Sequence, residues 1–138
     1  MKHEISCAWT GGMAFDADVM GKSIRMDASA EDGGKDSGAR PKPLLLAALA
    51  GCSGMDVVSI LAKMREPLTW FNERVEAEVA EEHPKRYLNM KIIYEFKASD
   101  GLDPAKVEKA VSLSQEKYCG VSALFQLAIP VEWEIAWV

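Results

Sequence analysis

The chain is poor in the residues that usually announce a site. It has three cysteines and two histidines in 138 residues. An odd, small cysteine set with no CxxC pair and no histidine cluster fits neither a secreted disulfide scaffold nor a zinc site. No phosphate loop, GxGxxG or HExxH occurs, so nucleotide and zinc-protease chemistry have no sequence support. Positive charge is in deficit, with 16 Lys plus Arg against 21 Asp plus Glu. A net charge of −5 argues against nucleic-acid or anionic-membrane partners held by bulk charge. The opening MKHEISCAWTGG has no apolar signal core. Together these features point to one soluble domain in a reducing cytoplasm, without metal or cofactor.

What the chain does have is one long apolar run. From Leu44 to Ala62, LLLAALAGCSGMDVVSILA, only Asp56 is charged. The run is just long enough to span a bilayer. Its mid-helix group Gly51, Cys52, Ser53, Gly54 and Asp56, and its polar surroundings, favour a core helix instead. A helix over 44–64 starts after Pro43 and ends before Pro67. Small residues at 47, 50, 51, 53 and 54 permit close approach by another backbone. A single antiparallel sheet cannot surround such a helix in so short a chain. A second copy can, so the pattern predicts a homodimer.

The rest divides by periodicity. Residues 1–30 read as two or three antiparallel strands, with Gly21 serving a hairpin turn. Residues 31–43, EDGGKDSGARPKP, read as a loop, mobile unless a partner orders it. Residues 70–98 alternate as a β-hairpin around EEHPKRY. Asp103 and Pro104 supply an N-cap and first helical position for helices over 103–128, broken at Tyr118-Cys119-Gly120. Ala105, Val107, Ala110, Val111 and Ser114 outline the apolar side of the first. The segment 131–138, VEWEIAWV, is a final strand with Val131, Trp133, Ile135 and Trp137 on one face. The class is α+β, with antiparallel sheets packed on central helices.

Taken singly, the cysteines read as small buried hydrophobes. The sequence around two of them changes that. GCSGMDVVSIL and AVSLSQEKYCGVSALF resemble the two cysteine motifs of the OsmC/Ohr family, and more closely its YhfA-like branch. The element order agrees along essentially the whole chain. The resemblance implies an intertwined dimer and thiol-dependent reduction of organic hydroperoxides. It implies that Cys52 is the peroxidatic residue and Cys119 the resolving one. A small dithiol or a lipoylated protein would return both to thiols. Cys7 stays incidental.

A peroxidatic thiol of ordinary pKa must be activated at neutral pH. The family does so with an Arg from the N-terminal β-region and a Glu at the start of the central helix. Here the Arg position after the TGG turn is Met13, and the acidic positions are Pro43 and Lys42. Arg25, Arg40 and Lys42 are the candidate replacements. Asp56, one turn after Cys52, would disfavour a neighbouring thiolate and is expected to accept a hydrogen bond from the partner chain. Met13, Met55 and Tyr118 would line the substrate pocket. The rival reading is a non-enzymatic protein that binds a small apolar ligand or senses redox state while lacking the Arg–Glu pair.

Overall fold

The computed structural model describes all 138 residues. They form two compact units, residues 1–45 and 46–138.

The first unit is a meander of β1 (Ser6–Gly11), β2 (Ala14–Val19) and β3 (Lys22–Met26), in the order β1-β2-β3 and antiparallel throughout. Met20 and Gly21 at φ 53° and 88° make the β2–β3 turn, a pair of positive φ values that suits strand twist. Residues 31–43 contain no helix or strand, as expected, but they are tied down rather than loose. The buried Asp27 carboxylate accepts from the backbone N–H groups of Ala28, Lys35 and Ser37 and from the Ser37 hydroxyl. These bonds hold its pKa down to about 2, the Ser37 hydroxyl contributing most. The chain thus supplies internally the ordering assigned above to a partner.

The second unit holds the main core. Helix α1 (Leu44–Lys63) turns Leu49, Ser53, Val57 and Leu61 inward. They pack with Ile92, Tyr94 and Phe96 of β5 and Val107, Ala110 and Val111 of α2. Strands β4 (Phe71–Glu76), β5 (Met90–Phe96) and β6 (Val131–Trp137) make one sheet in the order β4-β5-β6. The expected all-antiparallel arrangement fails here, because β6 runs parallel to β5. A parallel neighbour needs a long crossover, and α2 (Pro104–Leu113) and α3 (Gly120–Gln126) provide it. Asp103 caps α2 through Ala105 N–H and Pro104 opens it, as the sequence indicated. Ala105 is exposed, so the apolar side of α2 runs through Val107, Ala110, Val111 and Ser114 only. Between α2 and α3, Ser114–Tyr118 widens into a π-turn.

Helix α1 is long and apolar enough to cross a membrane by length and composition, a test that core helices of soluble proteins also pass. Burial on nearly all sides is not met within one chain. Met55 is 76% exposed and Leu45 and Val58 45% each.

Candidate thiol site

Cys52 stands in the third turn of α1 and Cys119 at the N-cap of α3. The fold of the second unit brings the two together. The two thiols are neighbours in the core of this unit, close enough for Cys52 to perturb Cys119, and both are free cysteines. Cys119 is 2% exposed and Cys52 half-buried. Only Cys52 is therefore open to an entering molecule. Burial pushes the Cys119 thiol up to about 11, and the adjacent Cys52 adds to the effect. The Ser122 N–H opposes it by donating to the Cys119 sulfur at 3.4 Å.

Behind the thiols lies a polar network that the sequence reading missed. Ser53 Oγ bonds the Tyr94 hydroxyl, and lies 3.0 Å from Ser114 Oγ. Ser114 donates to Asp56 Oδ2 at 2.9 Å. Asp56 thus has a donor within its own chain. Gln115 Nε2 donates to the Tyr94 hydroxyl at 2.7 Å and to Ser53 Oγ at 3.1 Å. Ser122 Oγ donates to Gln115 Oε1 at 2.6 Å and accepts from Gln126 Nε2 at 3.0 Å. Burial holds the Tyr94 hydroxyl well above the usual phenol range. Ser114 carried the one available signal. A serine on the apolar side of α2 requires a buried hydrogen-bond partner.

Glu73 was also missed. It occupies an inward position of β4 directly opposite Tyr94 on β5. Its Oε1 is buried with no hydrogen-bond partner. Desolvation pushes its carboxyl up to about 8. A Cβ at position 54 would stand 2.3 Å from Glu73 Oε2, so Gly54 admits this side chain rather than another backbone. Gly51 has nothing within 4 Å of its own Cβ position.

Each of the other expected site residues has neighbours of its own. Arg25 grips Asp16 with two bonds of 2.7 and 3.0 Å, and Arg40 is bound to Asp36 at 2.8 Å and to the Gly38 carbonyl at 3.1 Å. Lys42 is exposed at the approach to α1. All three belong to residues 1–45. Met13, Met55 and Tyr118 line three different cavities. Met13 lies beside Gly33, Gly34 and Lys35; Met55 beside Val58, Phe71 and Glu73; Tyr118 beside Asp56, Ile60 and Lys63.

Residues 34–134 match the family described as OsmC-like protein. The chain is 32% identical to protein YhfA of Escherichia coli K12 over 124 residues, 89% of each. A hypothetical protein of Aquifex aeolicus has a similar structure, with TM-score 0.83 and 28% identity over 100% of this chain and 98% of its own. The organic hydroperoxide resistance protein OhrB of Bacillus subtilis shares the fold, with TM-score 0.65 and 17% identity over 98% of each chain.

Proposed function

The chain belongs to the OsmC-like family, and from that premise we propose that it is a dithiol protein that reduces organic hydroperoxides through Cys52. Family membership, with hydroperoxide resistance proteins among the fold neighbours, supports a redox or peroxide-related role. The observation that carries the finer reading is the adjacency of two thiols 67 residues apart in sequence.

In the proposed cycle the Cys52 thiolate attacks the outer peroxide oxygen. The O–O bond breaks, the alkoxide takes a proton and leaves as alcohol, and Cys52 becomes a sulfenic acid. The Cys119 sulfur then attacks the Cys52 sulfur. The S–O bond breaks, and the hydroxide leaving Cys52 takes the Cys119 proton and departs as water. A small dithiol or a lipoylated protein reduces the resulting disulfide and is itself oxidised to a disulfide. No step calls on a metal or an organic cofactor. The reaction belongs in the cytoplasm, where such reductants persist.

Anaerobic titration with cumene hydroperoxide tests the cycle. The expected result is one Cys52–Cys119 disulfide per equivalent of peroxide. Cys52→Ser should abolish turnover, and Cys119→Ser should stop at a sulfenic acid trapped by dimedone. No disulfide at stoichiometric peroxide would refute the reading.

One observation favours a second reading. Met13, Pro43 and Lys42 stand where the family's Arg and Glu would be, and Cys119 is held protonated. In that version the protein binds a small apolar ligand or senses redox state slowly. Ligand binding that survives Cys52→Ser, together with no peroxide turnover in the unaltered chain, would select it.

A further inference from the structure

We propose that Gln115 is a positioning residue for the thiol pair, clamping Ser53, the neighbour of Cys52, to Ser122, whose N–H holds the Cys119 sulfur. Its catalytic consequence rests on the peroxidase reading, whereas the geometric claim stands by itself.

The directions of the hydrogen bonds follow from the inventory of donors. Ser122 Oγ accepts from Gln126, so its single proton goes to Gln115 Oε1. The Tyr94 hydroxyl accepts from Gln115, so its proton goes to Ser53. Ser53 accepts from both Gln115 and Tyr94, which sends its own proton to Ser114. Ser114 passes the direction on to the Asp56 carboxylate. Each of the Ser53, Tyr94, Ser114 and Ser122 hydroxyls is used once as donor, and among the groups of this network only the Gln115 amide reaches α1, β5 and α3 together.

The backbone puts the amide there. Ser114 and Gln115 are both buried, as Ala110 and Val111 are one turn earlier, while Glu116, Lys117 and Tyr118 are exposed. All five lie in the π-turn, which the Cys119 N–H closes on the Ser114 carbonyl at 2.8 Å. The same turn thus aims Gln115 inward and delivers Cys119 to Cys52. Without the amide, Ser53, Tyr94 and Ser122 each lose a buried partner. The segment carrying Cys119 then has one tie fewer to α1.

The experiment separates pairing from the chemistry of Cys52. The reduced full-length chain is oxidised with diamide, which takes two electrons and two protons from the dithiol and becomes the hydrazine. The disulfide is then equilibrated against dithiothreitol. Gln115→Met is expected to lower the disulfide equilibrium constant at least about tenfold, and Ser122→Ala about threefold. Alkylation of Cys52 by iodoacetamide in the reduced protein should stay within about twofold of the unaltered rate in both. If Gln115→Met does not fold, Ser122→Ala decides. Unchanged equilibrium constants, a parallel rise in Cys52 alkylation, or no Cys52–Cys119 disulfide with diamide in the unaltered chain would each overturn the proposal. A disulfide that forms with diamide but not with cumene hydroperoxide would count against the peroxidase reading and leave Gln115 in its role.

Discussion

Glu73 sets a pH dependence that belongs to a single side chain. Its folded pKa of about 8 lies above the ordinary 4.5, with burial as the cause. Between those two values the folded chain binds more protons than the unfolded one. Its stabilising effect is therefore complete below about pH 4.5 and is lost as pH rises towards 8. The neighbouring titratable group, Tyr94 across the strand, stays neutral throughout that range. The carboxyl is partly open to solvent, so the loss is on the order of 1 to 2 kcal/mol. Glu73→Gln should flatten the stability profile between pH 5 and 8 and raise the stability at pH 8. Urea unfolding at several pH values and one protein concentration measures it. Identical profiles for the two proteins would rule the assignment out. The sequence carried a signal for Glu73, which has the parity of Phe71 and Val75 on the apolar face of an alternating strand.

Among the elements, the 31–43 loop is the most informative. Its composition reads as loose, and its order comes from one buried carboxylate eight to ten residues upstream of the groups it holds. Hydrogen bonds to a charged acceptor are among the stronger ones in proteins. Asp27→Ala should release the loop without unfolding β1–β3. Limited proteolysis should then cut within residues 31–38 at least about tenfold faster, since cleavage follows the population of the open form. An unchanged cleavage rate would mean that other contacts hold the loop. The contrast with the other elements is physical. The long helix, the β-hairpin and the Asp103–Pro104 helix start were legible because period and capping are local signals. The parallel seating of β6, the π-turn and the Gln115 clamp were not, because long-range pairing decides them. Cys52 and Cys119 were named through their motifs; their adjacency appears only once α1 and the π-turn are packed.

At the scale of the whole molecule, the apolar helix still lacks a cover. Only 28% of its most apolar stretch is buried within one chain. Met55 and Val58 stand exposed on the side where Gly51 offers an open backbone surface. Fully burying a Met or Val side chain stabilises by about 1.5 to 3 kcal/mol, so leaving several uncovered in water is costly. A second copy presenting the same small-residue face can cover them symmetrically, because an isologous contact needs only one self-complementary patch. We therefore expect a homodimer at micromolar concentration, with α1 against α1. Met55→Lys tests the geometry at little cost to the isolated chain, because that side chain already lies in solvent. Two such lysines facing each other would have to shed their hydration at the contact. Light scattering should show the unaltered chain at twice the monomer mass and Met55→Lys at the monomer mass. Circular dichroism should show the same helix content in both. A folded monomer of the unaltered chain would remove the dimer. A dimer that survives Met55→Lys would move the contact off this face of α1.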